Sequence, residues 1–201
     1  MIDPVTRQRA LYGLVLAGGK SRRMGQDKAL LERDGVSQLS HTVALLESHV
    51  DRVFVSTRPD QQDEPERQRY AQIVDRYEDL GPLAGILSAM QEYPEVDWLV
   101  VACDLPNIGD ETLTHLLAER FGEHPFTAYV SSHDGLPEPL CAIWRAGTTD
   151  IIEGFVDEDI RCPRKILIRS DTHLINQVDP SSLDNVNTPD DLAGSVLGAG
   201  T

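Results

Sequence analysis

Short apolar runs alternate with segments of helical periodicity up to residue 121. The runs interpreted as strands are 12–16, 53–55, 73–74 and 98–101. The segments with helical spacing are 43–50, 84–92 and 111–121. Alternating strands and helices are typical of a mostly parallel sheet covered by helices on both faces. The pattern therefore predicts an α/β fold, a single three-layer α/β/α domain with a Rossmann-like sheet.

Turn and cap residues mark several boundaries of these elements. Asp34-Gly35 predicts the tip of a small hairpin before the first helix. Asp110 is predicted to cap the helix at 111–121. The most polar stretch, 59–69, is interpreted as a solvated loop or helix face.

The pattern loosens after residue 125. Predicted strands lie at 127–130, 140–144 and near 174–178. A turn around 133–135 joins the first two, and a helix is predicted over 148–156. The run 165–168 is too short for an assignment. The residues after 125 are expected to form a small antiparallel C-terminal part of the sheet.

Composition limits the classes of function. The chain has 201 residues, 40% of them hydrophobic, which suffices for an ordinary core without metal or disulfide cross-links. A formal net charge of −15 argues against nucleic acid or an anionic membrane as the main partner. Cys103, Cys141 and Cys162 match no zinc spacing and are interpreted as reduced thiols. With a polar N-terminus and no apolar run of about 20 residues, the cytoplasm is the expected location.

Positive charge is nevertheless concentrated directly after the first predicted strand. Four of the 18 basic residues lie within nine positions, namely Lys20, Arg22, Arg23 and Lys28. Gly18 and Gly19 precede them and allow the backbone to approach a ligand closely. This combination predicts a site for a triphosphate. A Walker loop is excluded, because Leu14 stands where that motif requires glycine, and no G-x-G-x-x-G occurs.

Asp104 follows the apolar run 98–101, just as Gly18 follows the first run. Ligands of open α/β sheets bind outside the carboxyl ends of the strands. The glycine loop and the carboxylate are therefore expected to converge on one ligand. Because Mg²⁺ bound with substrate phosphates needs only one or two protein carboxylates, Asp104 is the predicted metal ligand. The alternative is an aspartate that caps a turn before Pro106.

Four motifs resemble those of molybdenum cofactor guanylyltransferases, which belong to a larger group of nucleotidyltransferases. The motifs are Leu16-Ala-Gly-Gly-Lys-Ser-Arg-Arg-Met-Gly with Asp27-Lys28, Gly81-Pro-Leu-Ala-Gly, Cys103-Asp-Leu-Pro and Asn185-Val-Asn-Thr-Pro. They stand in the family's order and span residues 14–192. The first motif indicates a nucleotidyltransferase, and the last one indicates work on a pterin cofactor.

The resemblance implies that GMP passes from GTP to the phosphate of molybdopterin or Mo-molybdopterin, with Mg²⁺ as the cofactor. The implied GTP-binding residues are Leu16, Ala17, Gly18, Gly19, Lys28, Asp75 and Asp104. The implied catalytic residues are Lys28, Asp104 and Arg22. The implied acceptor-binding residues are Gly81, Pro82, Leu83, Asn185 and Asn187. The single domain, 1–201, would have a nucleotide-binding half at about 10–125 and an acceptor-binding half at about 126–197. Molybdopterin-handling proteins and molybdoenzyme chaperones are the implied protein partners.

Several of these residues also have a role on chemical grounds. Backbone N–H groups of Gly18 and Gly19 would cradle phosphates, and Lys28 would neutralise their charge. Arg22 or Arg23 would clamp the leaving pyrophosphate through two parallel hydrogen bonds, and the sequence does not choose between them.

The remaining site residues each have a structural alternative. Asp75 would accept the N1–H and exocyclic N–H₂ of guanine, or it is a surface aspartate beside Arg76. Gly81 to Gly85 would bring backbone close to a ligand, or they form only a tight turn. Asn185 and Asn187 would offer amides to a pterin, or they cap the turn before the next helix.

The sequence departs from the family in one place that bears on the nucleotide. The family often has an asparagine at the end of the second strand, where this chain has Ser56-Thr57. A second basic spot, Cys162 to Lys165, is a further candidate for acceptor contacts.

Three alternative functions stay open at the level of sequence. They are the same transfer from CTP, a sugar-phosphate nucleotidyltransferase, and a non-catalytic module that binds a nucleotide or delivers the cofactor. Leu16-Ala17-Gly18-Gly19 favours the guanine-using branch, because cytidine-using relatives typically have a second alanine in place of Gly18.

Overall fold

A computed structural model describes residues 9–19, 27–120 and 122–185. Its strands are β1 Leu11–Leu16, β2 Glu32–Arg33, β3 Val36–Ser37, β4 Arg52–Thr57, β5 Gln72–Val74, β6 Asp97–Ala102, β7 Phe126–Val130, β8 Pro137–Trp144 and β9 Thr172–Asn176. Its α-helices are α1 Gln38–Glu47, α2 Pro82–Glu92, α3 Asp110–Ala118, α4 Thr149–Asp157 and α5 Pro163–Arg169. Short 3₁₀ turns lie at Lys28–Leu30, Pro59–Gln61 and Arg67–Arg69.

Seven strands form one mixed sheet in the order β5-β4-β1-β6-β8-β7-β9. The four strands β5, β4, β1 and β6 are parallel to one another. Strand β8 runs antiparallel to both β6 and β7, and β9 returns parallel to β7. The predicted α/β fold, mostly parallel with an antiparallel C-terminal part, is therefore confirmed.

The strand register aligns the carboxyl ends of the parallel strands. Leu16, the last residue of β1, is paired with Ser56 in β4 and with Ala102, the last residue of β6. Thr57 at the end of β4 is paired with Val74 at the end of β5. The segments that follow these four strands consequently emerge side by side at one edge of the sheet.

The core lies on both faces of the sheet, as side-chain alternation along β1 shows. Leu14 packs into a cluster with apolar residues of α2, α4 and α5, whereas Val15 packs into a second cluster with residues of α1 and α3. Because neighbouring residues of a strand point to opposite faces, the two clusters make the three layers that the sequence predicts. Among the described helices, none combines the length and apolar character needed to cross a bilayer.

The small hairpin is present, with Asp34 and Gly35 at φ 54° and 75° in its tip. These positive φ values suit a two-residue turn between antiparallel strands. The predicted cap of α3 is wrong, because Gly109 is the N-cap and Asp110 already lies in the first turn. There its carboxylate still faces the positive end of the helix dipole. Helix α2 starts at Pro82 rather than at residue 84, since proline is well suited to a first helical position.

The polar stretch 59–69 is not wholly solvated. It folds into two short 3₁₀ turns, and Arg67 within it is 0% exposed. The interpretation as a solvated loop or helix face is wrong for this residue, because two of its guanidinium nitrogens are hydrogen-bonded to Ala17, Asp27 and Glu64 inside the fold.

Candidate active site

Residues that follow four neighbouring strands meet at the carboxyl edge of the parallel sheet. Gly18 follows β1, Arg58 follows β4, Asp75 follows β5 and Asp104 follows β6. In the order β5-β4-β1-β6, the strand before Gly18 lies between those of Arg58 and Asp75 on one side and that of Asp104 on the other. The glycine loop therefore lies in the middle of this group. This is the place where open α/β sheets bind their ligands.

Lys28 and Asp104 are in contact at this edge. The Lys28 Nζ atom lies 3.4 Å from Asp104 Oδ2, and their side chains are only 17% and 24% exposed. Lys28 opens a 3₁₀ turn whose N-cap is Asp27, which accepts a hydrogen bond from the Ala29 N–H at 3.1 Å. The fold thus brings together two residues that are 76 positions apart in the chain.

Asp104 could supply one oxygen ligand to a metal ion. Its Oδ1 atom is buried and has no hydrogen-bond partner among the described residues. A buried carboxylate oxygen without a donor is costly unless a cation or another donor completes it. Within the described ranges, no group of three or more His, Cys, Asp or Glu side chains is arranged to hold a metal ion. The site therefore fits a cation that takes most of its ligands from phosphates and water, as Mg²⁺ does.

Asp75 lies half-buried beside the glycine loop. Its Oδ1 atom accepts a hydrogen bond from Ser56 Oγ at 2.8 Å, and its Oδ2 atom lies 3.5 Å from where a Cβ on Gly18 would sit. Burial raises the pKa of Asp75 from 3.8 to about 6, against the hydrogen bond from Ser56 and the charge of Arg58, which lower it. Ser56 in β4 thus orients this carboxylate.

The loop is held from the same side by Arg58. Its guanidinium NH1 group donates to the carbonyl oxygen of Gly18, while its Nε and NH2 groups donate to Asp60 at 2.9 and 3.0 Å. The backbone of the loop is therefore fixed by a side chain at the end of β4.

The segment Gly81 to Gly85 enters helix α2 beside the site. Gly81 has φ 56° and ψ −136°, a backbone conformation that glycine adopts far more readily than other residues. Both Gly81 and Pro82 are exposed. Leu83 is 0% exposed in the core, and its N–H donates to the Leu80 carbonyl. Gly85 allows close packing, since a Cβ there would lie 2.1 Å from Ser56 Oγ.

Arg67 is a residue that sequence reasoning missed. Its NH2 group donates to the Ala17 carbonyl at 2.7 Å and to Asp27 Oδ2 at 2.8 Å, and its NH1 group donates to Glu64 Oε2 at 3.2 Å. The surrounding sequence is polar and gives no sign of burial. The spacing of Glu64 and Arg67, three positions apart, is a local signal of an ion pair but not of burial.

The remaining predicted residues fall into two groups. Asn185 is exposed at the end of the described ranges. The residues that lie outside the described ranges are Lys20, Arg22, Arg23 and Asn187. In the second basic spot, the charge of Arg164 is compensated, because Arg164 donates to Asp134 at 2.8 Å and to Glu138 at 2.9 Å.

Cys103, which precedes Asp104, is buried in the core as a free thiol. Burial raises the pKa of the Cys103 thiol above its ordinary value, and the charge of Asp104 adds to this effect. A thiol held in its neutral form packs against its neighbours and is not a nucleophile.

Comparison with known proteins identifies relatives of this chain. A family profile described as MobA-like NTP transferase domain matches residues 13–173. A molybdenum cofactor biosynthesis bifunctional protein from Synechocystis is 38% identical over 92% of this chain, which spans only 53% of that protein. A probable molybdenum cofactor guanylyltransferase from Bacillus mycoides is 32% identical over 89% of this chain and 92% of its own length.

Solved structures show the same architecture. The crystal structure of molybdopterin-guanine dinucleotide biosynthesis protein A from Archaeoglobus fulgidus aligns with a TM-score of 0.73 and 27% identity, covering 91% of this chain and 95% of that one. A nucleotidyl transferase from Methanothermobacter aligns with a TM-score of 0.72 at 19% identity over 92% and 95% of the two chains. At that identity the second likeness concerns the fold alone.

Proposed function

Since the chain belongs to the MobA-like NTP transferase family and is a nucleotidyltransferase, we propose that it transfers GMP from GTP to molybdopterin. A phosphate oxygen of molybdopterin attacks the α-phosphorus of GTP. The bond between that phosphorus and the oxygen bridging to the β-phosphate breaks, and pyrophosphate leaves. The product is the guanine dinucleotide form of the cofactor.

The observation that carries this proposal is the contact between Lys28 and Asp104 at the carboxyl edge of the sheet. Phosphoryl transfer needs little covalent chemistry from the protein. It needs aligned reactants and compensation of the negative charge that develops at phosphorus and on the leaving group. A cation and a carboxylate beside a glycine loop are the parts that this reaction requires.

Asp104 is the residue that would hold Mg²⁺, and its unpartnered Oδ1 atom supports this assignment. When bound, the metal supplies charge neutralisation at the phosphate oxygens. Lys28 contributes a second positive charge from the other side of the carboxylate. The backbone N–H groups of Gly18 and Gly19 bind the phosphates, and Arg22 is our candidate for the departing pyrophosphate.

Asp75 is our candidate for recognising guanine. An ionised carboxylate accepts from N1–H and the exocyclic N–H₂ of guanine together, and cytosine offers no such pair of adjacent donors. Ser56 holds Oδ1 of Asp75, which leaves the second oxygen facing the glycine loop. The position of this carboxylate supports the proposed selectivity for guanine.

Molybdopterin would be bound by residues at the start of α2 and near the end of the described ranges. Gly81 and Pro82 are exposed at the start of α2, and Asn185 is exposed at the end of the described ranges. Together with Asn187 they remain our proposed acceptor contacts, and Leu83, which is 0% exposed, would support this turn from the core. We place the enzyme in the cytoplasm, with molybdopterin-handling proteins and molybdoenzyme chaperones as its protein partners.

The decisive experiment measures pyrophosphate release by the purified protein with GTP, CTP and UTP, each with and without molybdopterin and Mg²⁺. Release is expected with GTP only, and only when molybdopterin and Mg²⁺ are both present. Equal release with CTP would refute the base assignment but not the reaction class. Release with a sugar phosphate in place of molybdopterin would refute the acceptor. Nucleotide binding without any release would indicate a non-catalytic module.

A further inference from the structure

Arg67 is a buried cation with no role in the chemistry proposed so far. It lies in the 3₁₀ turn Arg67–Arg69 and is 0% exposed, whereas Arg69 in the same turn has a side chain that is 61% exposed. Burying a guanidinium is costly unless charged and polar partners surround it. The partners of Arg67 therefore indicate what this position is for.

Those partners lie at both ends of the nucleotide loop. Ala17 directly precedes Gly18-Gly19, and Asp27 directly precedes Lys28. One nitrogen of Arg67, NH2, donates to the Ala17 carbonyl at 2.7 Å and to Asp27 Oδ2 at 2.8 Å. The loop ends, Ala17 and Asp27, thus share a single donor group.

A second nitrogen of the guanidinium, NH1, is anchored outside the loop, whereas the buried Nε has no hydrogen-bond partner among the described residues. The NH1 group donates to Glu64 Oε2, and the same carboxylate accepts the backbone N–H groups of Glu66 and Arg67 at 3.0 Å each. The Glu64 carboxylate is thus held by backbone N–H groups and in turn holds the Arg67 guanidinium from the side away from the loop.

We propose that Arg67 is a positioning residue that holds the two loop ends, Ala17 and Asp27, at a fixed separation. This inference rests on the proposed function, because it takes the loop to bind nucleotide phosphates. Asp27 also caps the turn that carries Lys28 through its other oxygen, Oδ1. Fixing Asp27 consequently fixes where Lys28 meets Asp104, and fixing Ala17 fixes where the Gly18 and Gly19 amides point.

The test compares Arg67→Lys and Arg67→Met with Arg69→Lys and Arg69→Met in the full chain. Arg69 is a matched control, because it also pairs with a glutamate three positions earlier but is exposed. Lysine keeps the charge, but its single ammonium group lacks the fork that reaches both Glu64 and the loop ends. Arg67→Lys therefore tests geometry rather than charge.

Backbone hydrogen exchange is the first measurement, because it needs no substrate. The Arg67 variants are expected to speed exchange about tenfold at residues 29–31, whose N–H groups are hydrogen-bonded in the turn after Asp27, as local opening becomes easier. Exchange in β6 should stay unchanged, and the Arg69 variants should match the native protein throughout. Equal acceleration in β6 and at residues 29–31 would mean global destabilisation and would overturn the proposal.

Steady-state kinetics with GTP are the second measurement. Arg67→Lys is expected to lower kcat/KM by about 100-fold, the scale of a displacement of about 1 Å. Part of this loss should be a rise in KM for GTP, which a smaller folded fraction does not produce. A KM and an exchange rate at residues 29–31 within twofold of the native values would overturn the proposal. If Arg67→Met does not fold, Arg67→Lys and Asp27→Asn decide, and Asp27→Asn should act in the same direction.

The two proposals fail separately in this design. If the native protein releases no pyrophosphate from GTP, the proposed function is wrong, and exchange at residues 29–31 still decides the role of Arg67. If the native protein turns over and Arg67→Lys is unaffected, only the positioning role is wrong.

Discussion

Asp75 combines a functional position with an electrostatically unfavourable environment. Burial raises its pKa to about 6, although Ser56 and Arg58 both favour the ionised form. The folded-state pKa lies above the ordinary value of 3.8, so the folded protein holds the proton more tightly than the unfolded chain. This carboxylate therefore lowers the free energy of unfolding as pH rises from about 4 to about 6, and the full cost is present at pH 7.

Asp75→Asn is expected to separate stability from substrate recognition. At pH 7 it should raise the free energy of unfolding by about 1 kcal/mol, less than the pKa shift alone would give because the group is partly solvated. It should also raise KM for GTP. Chemical denaturation and steady-state kinetics check both results, and a variant that is less stable than the native protein would contradict the expectation.

The same residue predicts how activity depends on pH. Guanine binds the ionised carboxylate, so kcat/KM for GTP should fall about tenfold per pH unit below about 6. A pH series from 5 to 8 measures this, with Asp75→Asn as the control in which the slope disappears. Persistence of the slope in that variant would assign it to another group.

Substitutions of Asp104 and Lys28 are expected to reduce catalysis. Asp104→Ala should lower kcat by about 1000-fold, because it removes the proposed metal ligand at the reacting phosphates. Its melting temperature should change little, since the ion pair with Lys28 is partly exposed. Lys28→Ala should lower kcat more than Lys20→Ala does. Native activity in Asp104→Ala would refute the metal assignment.

At the scale of elements, the packing of α2 against β4 sets the geometry of Asp75. Gly85 in α2 faces Ser56 in β4, and Ser56 in turn donates to Asp75. The helix and strand approach so closely here that no side chain fits between them. A helix–strand contact outside the site therefore controls the orientation of a residue inside it.

Gly85→Ala and Gly154→Ala are a matched pair that tests this contact. The added Cβ at Gly85 would lie 2.1 Å from Ser56 Oγ and 2.9 Å from Ser56 Cβ, whereas nothing lies within 4 Å of a Cβ at Gly154 in α4. Gly85→Ala should destabilise the fold by about 2 kcal/mol and raise KM for GTP. Gly154→Ala should stabilise it by about 0.5 kcal/mol through helix propensity. Thermal unfolding and kinetics measure both, and equal behaviour of the two variants would contradict the argument.

At the scale of the whole molecule, an aromatic cluster lies at the amino ends of the strands, whereas the proposed chemistry lies at their carboxyl ends. The guanidinium of Arg52, at the start of β4, lies 5.6, 4.8 and 5.7 Å from the ring centroids of Tyr12, Phe54 and Tyr93. These rings also contact Trp98 at the start of β6. The amino-terminal edge is thus closed by an aromatic cluster, while the carboxyl edge is left for ligands.

Arg52→Met is expected to show this division directly. Loss of the cation–π contacts should lower the free energy of unfolding by about 1 kcal/mol without changing KM for GTP. Arg76→Met is the control, because Arg76 forms an exposed ion pair with Glu92 whose loss should cost less than about 0.5 kcal/mol. Denaturation curves and kinetics check both variants, and a changed KM in Arg52→Met would contradict the separation of the two edges.

Much of this arrangement is predictable from sequence because it depends on local pattern. Apolar runs give the strands, and the rule that ligands bind at carboxyl ends brings Gly18 and Asp104 to one edge. The burial of Arg67 is different, because its acceptors at Ala17 and Asp27 lie 50 and 40 positions away. No local periodicity encodes such a contact. The predicted N-cap of α3 was wrong by one position, because Gly109 and Asp110 are both acceptable at an N-cap.

The hydrogen bonds of Arg67 make positions 17, 27, 64 and 67 one unit for protein engineering. A chimera that takes only its first 60 residues from this chain would carry Ala17 and Asp27 without the arginine that joins them. Such a hybrid would keep the glycine loop and Lys28 and yet lose the side chain that holds the loop ends. Exchange points placed after residue 69 would preserve these hydrogen bonds, so a transplanted loop should keep its geometry there and lose it at junctions between residues 27 and 64.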